Sequence, residues 1–293
     1  MDRILIVTIL AIFIISCAED KKIDSSFSSI NIGTDSTFDI ITWNIENFPK
    51  QNSTVDYLLE LIPIFDADII ALQEIESATD FQNLINSLDN YDGILTNSAS
   101  YNINLAFLYS NNLEVEATYE IFTDNWWSFP RPPLVAHIIW DEKDIYIINN
   151  HFKANENDST EDEARRKSAS ENLEDYVNEY LHAENVIILG DLNDELNEGA
   201  SENVFQNFIN DSTHYKFVDI DIAYGHSSNW SYPSWPSHLD HILITDELFD
   251  EFENEGSSVQ TIRLEEYFDG GWNDYEKYIS DHRPVGLGLA FIP

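Results

Sequence analysis

The chain closes on YISDHRPVGLGLAFIP, residues 278–293. From Pro284 to Phe291 the residues are apolar and small, and they read as a strand. Immediately before it stand Ser280, Asp281, His282 and Arg283, an acid and an imidazole at the mouth of the last strand. Polar residues at a strand end commonly do no more than meet water. The tetrapeptide carries functional meaning only if other strands present matching groups.

They do. FDIITW, ADIIALQEI, INLAFLYS, PLVAHIIW, DIYIINNHF, NVIILGD, LDHILIT, TIRLE and PVGLGLAF are short, β-branched, apolar runs that read as strands. PLVAHIIW and DIYIINNHF, joined by the polar DEKD, read as an antiparallel hairpin. Between strands, STVDYLLELIPIF starts at a Ser/Thr cap and places Val55, Leu58, Leu59 and Ile62 on one helical face. TDFQNLINSLD and a long acidic segment from about Asp158 to His182 give further helices. Strands and helices mix without strict βαβ alternation, which predicts sheets packed with helices outside them.

Several of these strands end in polar residues. Asn44 and Glu46 alternate with Trp43 and Ile45; Gln73 and Glu74 follow Ile69–Leu72. Asn149 and His151 share a face by the period-two rule, as do Asp191 and Asn193 beyond Gly190, and His238 and Asp240. Carboxylates and amides of this kind suit a hard divalent cation such as Mg²⁺, with Mn²⁺ or Ca²⁺ as alternatives. Imidazoles next to Asp281 and able to pair with Asp240 suit proton transfer and stabilisation of developing charge. HExxH and G-x-S-x-G do not occur, and the single cysteine, Cys17, lies far from these motifs.

Composition narrows the partners. Asp and Glu number 54 against 14 Lys and Arg, a formal charge of −40. That surface speaks against avid, sequence-independent nucleic-acid binding, which needs clustered cations, but leaves room for a substrate held through metal ions in a cleft. At the N-terminus, Arg3 precedes an apolar run from Ile4 to Ile15, too short to span a bilayer and suited to a secretory signal. IISC resembles a bacterial lipobox. The expectation is a lipoprotein signal peptide over 1–16, lipidation at Cys17, a tether over 17–37, and one domain over 38–293. Such a chain is exported and lipid-anchored to the outer membrane or cell surface, with no other membrane contact, and is expected to be a monomer.

The ordered series WNIENF, LQEI, NNHFKA, GDLND, LDHILIT, SDHRPV resembles the endonuclease/exonuclease/phosphatase superfamily, which includes deoxyribonuclease I, abasic-site endonucleases, neutral sphingomyelinases and inositol polyphosphate 5-phosphatases. The resemblance spans residues 38 to 292. It implies a four-layered α-β-β-α sandwich, two central mixed sheets between helices, with the site at one edge. By motif, Glu74 matches the metal-binding glutamate with Asn44 beside it, and Asp281 the second metal-site acid. Asp191 matches the acid that activates water, Asn193 the amide that positions phosphate, and His282, held by Asp240, the phosphate-facing imidazole. His151 matches a second such histidine, and Arg131 sits where relatives carry a phosphate-contacting arginine. Relatives of the deoxyribonuclease type orient the second histidine with a glutamate; this chain offers Asn102 and Asn104 there.

The implied activity is Mg²⁺-dependent phosphoester hydrolysis. An extracellular phosphodiesterase or nuclease comes first; a sphingomyelinase-like or phosphatase-like enzyme is the alternative, and a non-catalytic surface module a third reading. Trp126, Trp127, Trp230, Tyr232 and Trp235, near the site motifs, offer surfaces on which bases stack.

Overall fold

The computed structural model describes residues 30–34, 36–156 and 159–291. Cys17 and the expected signal peptide lie outside them. Twelve strands are described: β1 Phe38–Phe48, β2 Ile69–Ile75, β3 Tyr91–Leu95, β4 Asn104–Ser110, β5 Glu114–Glu120, β6 Leu134–Trp140, β7 Lys143–His151, β8 Asn185–Asp191, β9 Tyr215–Phe217, β10 Asp240–Thr245, β11 Ser258–Thr261 and β12 Val285–Leu289. The α-helices are α1 Thr54–Phe65, α2 Ala78–Ser87, α3 Ser159–Tyr180, α4 Gln206–Asn210, α5 Ile220–Ala223, α6 Phe249–Glu253 and α7 Trp272–Tyr278.

The strands form two six-stranded sheets, in the orders β11-β12-β1-β2-β4-β3 and β5-β6-β7-β8-β10-β9. Each sheet is mixed. β1 and β2 run parallel, linked by α1, and β7 and β8 run parallel, linked by α3; the remaining pairs are antiparallel. The implied sandwich of two mixed sheets between helices is therefore what the chain adopts.

Period-two alternation builds three apolar layers. In β1, Phe38 and Ile40 face the opposing sheet, while Ile41, Trp43 and Ile45 pack beneath α1, α2 and α7. In β8, Ile187 and Leu189 face inward, and Val186 and Ile188 face α3 and α4. The inward residues are almost wholly buried, and each such Ile or Leu contributes roughly 1.5–3 kcal/mol by leaving water. Residues 30–34, within the stretch read as tether, also pack on the domain: Ile30 is buried, and Ile32 and Gly33 donate to the Phe65 carbonyl.

The predicted hairpin is β6–β7, with Trp140 opposite Lys143 and both turn residues, Asp141 and Glu142, at positive φ. That is the backbone of a tight turn matching the right-handed strand twist. TIRLE departs from the expectation: β11 stops at Thr261, and Leu264–Tyr267 form a 3₁₀ turn. The reason is that Ile262 donates back to Pro284 and Leu264 caps the helical side of the core, so the chain leaves the sheet edge to cover it. Strands β3, β5 and β9 are not among those the sequence predicts. β5 is an edge strand whose Val115, Ala117 and Tyr119 alternate with Glu114, Glu116, Thr118 and Glu120 but bury little, so its alternation is only weakly apolar.

Candidate active site

The two parallel pairs determine where the site falls. β1, β2, β7 and β8 point their C-terminal ends toward one edge of the sandwich, where open α/β sheets present ligand-binding groups. β10 runs antiparallel to β8 and β12 antiparallel to β1, so the start of each meets those ends. Glu74, His151 and Asp191 thus stand at the ends of three strands and Asn44 in the last half of β1, while Asp240 opens a fifth strand and Asp281 and His282 precede the sixth. An acid–imidazole pair before the last strand is placed there by antiparallel pairing with the first.

Inward-facing positions change character as they approach this edge. Beyond the apolar layer, Thr42, Gln73 and Asn149 form a buried polar floor: Gln73 Nε2 donates to Thr42 Oγ1 (3.1 Å) and Asn149 Oδ1 (2.8 Å), and Asn149 Nδ2 to the Leu72 and Ala106 carbonyls. Above it, Asn44 Nδ2 bridges Asp191 Oδ2 (2.9 Å) and Glu74 Oε1 (3.1 Å), while its Oδ1 accepts from Glu46 N (2.9 Å). Glu74 sits at φ 64 where the β1–β2 and β2–β4 registers shift, so its carboxylate leaves the strand line and enters the cleft. Its other oxygen accepts from Asn47 N at 3.0 Å.

Asp191 is the centre. His151 Nε2 lies 3.5 Å and His282 Nε2 3.8 Å from its Oδ2, and its Oδ1 accepts the Asn193 backbone N–H at 3.1 Å. His282 Nδ1 bonds Asp240 Oδ2 at 2.7 Å, aiming Nε2 at the cleft, where Asp281 Oδ1 is 4.0 Å away. Asn193, at φ 53, donates its side-chain amide to the Phe152 carbonyl (3.2 Å), as does Arg131 Nη1 (3.2 Å). Gly190 permits this turn: at φ 138 a Cβ would stand 2.0 Å from the Asn150 carbonyl oxygen.

Electrostatics separate the two histidines. Burial lowers the pKa of His282, but the Asp240 and Asp191 carboxylates outweigh it and hold the ring well above its usual value, as an imidazolium. His151 goes the other way: burial, then Arg131 and His282, push it well below the usual range, and its Nδ1 has no partner. Asn104 does not supply the missing orienting group, since its Nδ2 donates to the Ile75 and Asn102 carbonyls. Burial raises Asp191 to about 7, with Asp240 adding to the rise and His282 and Asn44 opposing it. Burial also lowers the Arg131 guanidinium, against the pull of Glu74 and Asp191.

These groups line a cleft of about 540 Å³, with Trp235, 77 % exposed, at its rim. Glu46, Glu74, Asp191, Asp194, Glu195, Glu198 and Asp281 face Arg131 and Arg166 there, and Arg166 is tied to Asp194 at 2.7 Å. Carboxylates outnumber cations in this cleft, so a phosphate entering it gains from added positive charge. Glu74 and Asp281 are half-buried with oxygens that reach the cleft, a hard-oxygen donor pair that fits Mg²⁺. Asp191, Asp240 and His282 also converge closely enough to hold an ion. Asn44, expected beside the metal and the substrate, bridges Glu74 and Asp191 through its amide.

Two sequence expectations need correction or addition. His238 does not share a face with Asp240; β10 starts only at Asp240, and His238 turns away to meet Asp219 at 3.1 Å. Sequence places Glu46 only in the strand alternation; in the structure its Oε2 accepts the Asp281 N–H (2.9 Å) and pairs with Lys50. Tyr232 lies over the His282 ring with centroids 4.8 Å apart, which motif order could not reveal.

Fold and site together describe a phosphoesterase sandwich whose acid–imidazole cluster closes two facing sheets. Residues 41–282 match the model of the Endonuclease/Exonuclease/phosphatase family, and the chain belongs to that family of phosphoester hydrolases, generally dependent on divalent metals. No curated protein sequence is a significant match. Solved structures share the fold. D. rerio TDP2 complexed with single strand DNA product has a TM-score of 0.67 at 15% identity, covering 88% of this chain and 100% of that one. The human Nocturnin catalytic domain with bound sulfate has 0.65 at 19%, covering 88% and 95%. A Bacteroides thetaiotaomicron mannosyl-6-phosphatase has 0.61 at 13%, covering 87% and 100%.

Proposed function

We propose that the protein is a Mg²⁺-dependent phosphodiesterase that hydrolyses the phosphodiester of nucleic acid, in particular of single strands. The observation that carries the reading is the convergence of Asp191, a charged His282 and a neutral His151 at one buried point of an acidic cleft. A Mg²⁺ held by Glu74 and Asp281 would supply positive charge to the phosphate oxygens. Asp191, raised to about 7, accepts a proton from a water placed in line with the scissile bond. His282, anchored by Asp240, donates its Nε2–H to a non-bridging oxygen as negative charge builds there. Neutral His151 and the Arg131 guanidinium stabilise the same oxygens from the opposite wall, and Asn193 positions the water. Trp235 and Tyr232 at the rim give the base beside the phosphate a stacking surface.

The acidity of the cleft favours a second reading, a compact phosphomonoester, because each additional phosphate of a strand meets carboxylates that the ion does not neutralise. The mannosyl-6-phosphatase of the same fold lends it support. Export through the IISC motif, with lipid on Cys17 and the enzyme acting outside the cell as a monomer, completes the proposal. The test is incubation with Mg²⁺ against single- and double-stranded DNA, RNA and sugar monophosphates. Cleavage of single strands that chelation abolishes supports the first reading; release of phosphate from sugar phosphates alone replaces it with the second.

A further inference from the structure

Behind the Asp191–Asn193 turn, on the side away from the cleft, lie Asp219, His238 and His241, each 2 % exposed or less. Asp219 Oδ2 accepts from His241 Nδ1 (2.6 Å) and His238 Nε2 (3.1 Å), and its Oδ1 from Ile242 N (2.9 Å). His238 Nδ1 accepts from Ser231 N at 3.2 Å. The second ring nitrogen of His241, Nε2, faces the Asp194 carbonyl at 2.9 Å. Both nitrogens of His241 therefore meet acceptors and both donate, which makes the ring an imidazolium neutralised by Asp219. Every ring nitrogen of the two histidines has a hydrogen-bond partner within the protein.

The cluster joins the segments that carry the site. Asp194 follows the Asp191–Asn193 turn, and its carboxylate holds Arg166, whose Nη1 reaches the Lys153 carbonyl and Asn155 just past His151. Ser231, bonded to His238, takes the Asp240 and Leu239 N–H groups on its hydroxyl and the Arg283 N–H on its carbonyl. We propose that His241, anchored by Asp219, is a positioning residue whose Nε2–H pins the Asp194 carbonyl and so fixes the Asp191–Asn193 turn opposite Asp240 and His282. This rests on the phosphoesterase reading for its catalytic consequence, and on the hydrogen bonds alone for the positioning.

Two near-isosteric replacements separate the contacts. The amide of His241→Asn lies where Nδ1 was and keeps the bond to Asp219; that of His241→Gln reaches toward Nε2 and keeps the bond to Asp194. In the full-length protein with Mg²⁺ and bis(p-nitrophenyl) phosphate, His241→Asn should lose roughly 10- to 100-fold in kcat with KM within about twofold, the cost of a misplaced catalytic group. His241→Gln should stay within about threefold of wild type. Hydrogen exchange of the Leu192–Glu195 amides supplies a second readout: protection falls in His241→Asn and persists in His241→Gln. Equal behaviour of the two variants in kcat or exchange, or wild-type values in His241→Asn, overturns the proposal. If His241→Asn does not fold, His241→Gln decides alone: near-wild-type protection and turnover uphold it, and loss of both overturns it. An inactive wild type refutes the phosphoesterase reading, and the exchange difference then decides the positioning by itself.

Discussion

Replacing Asp240 by Asn removes one charge from a buried pair and little else. Asp240 Oδ2 takes the His282 Nδ1–H at 2.7 Å, its Oδ1 has no hydrogen-bond partner, and both side chains are buried. The amide oxygen of Asn can still accept from Nδ1, so the ring keeps its direction but loses the carboxylate that, with Asp191, holds it charged. A hydrogen bond to a charged group contributes about 1.5–3 kcal/mol. At about 1.4 kcal/mol per decade, kcat should fall roughly 10- to 150-fold. KM should stay within about threefold, because the imidazolium acts where charge develops in the transition state. Stability should also fall, by about 1–3 kcal/mol, since the folded protein loses the carboxylate that favours the buried imidazolium and buries an amide N–H without a partner. The assays are Mg²⁺-dependent turnover of bis(p-nitrophenyl) phosphate and a thermal melt of the same preparation. A kcat within threefold of wild type would refute the role of the pair, and loss of a cooperative melt would make Asp240 a structural residue.

Further outcomes follow from other parts of the structure. Chelation with EDTA should silence turnover and Mg²⁺ restore it, because carboxylates outnumber cations in the cleft that the phosphate enters; unchanged rates in EDTA would remove the ion. Gly190→Ala should cost several kcal/mol or prevent folding, given a Cβ 2.0 Å from the Asn150 carbonyl at φ 138, and a wild-type melt would contradict that geometry. Burial raises both Asp39 and Asp68 to about 6, so the folded protein keeps protons that the unfolded chain sheds near pH 4. Stability should therefore decline as pH rises from about 4 through 6, and Asp39→Asn should flatten the decline in melts taken across that range. Trp235→Ala should raise KM for single-stranded DNA several-fold and leave turnover of bis(p-nitrophenyl) phosphate alone; equal effects on both would deny it a stacking role.

How far the sequence spoke depended on the reach of each interaction. β1, β2, β7 and β8 announce themselves because runs such as Ile187–Leu189 are buried on both faces, and their closing residues fall on the inward side by simple alternation. β5 escapes notice because its alternation, Val115, Ala117 and Tyr119 between Thr118 and three glutamates, is weakly apolar on an edge strand that buries little. The expectation for His238 fails because period two does not hold across Leu239, where the chain is not yet a strand. The brace of Asp219, His241, Asp194 and Arg166 joins residues far apart in sequence, and no local pattern connects them. Glu46 needed the β1–β12 pairing before its contact with the Asp281 backbone could be seen.

The claim on which the rest depends is that Asp191 and His282 jointly hydrolyse a phosphoester in this cleft. The most direct measurement is turnover of a generic phosphodiester with Mg²⁺ by wild type, Asp191→Asn and His282→Ala proteins, each shown by a thermal melt to be folded. Hydrolysis by the wild type, lost in both variants, is the predicted result. An inactive wild type, or activity that survives either substitution, would contradict it.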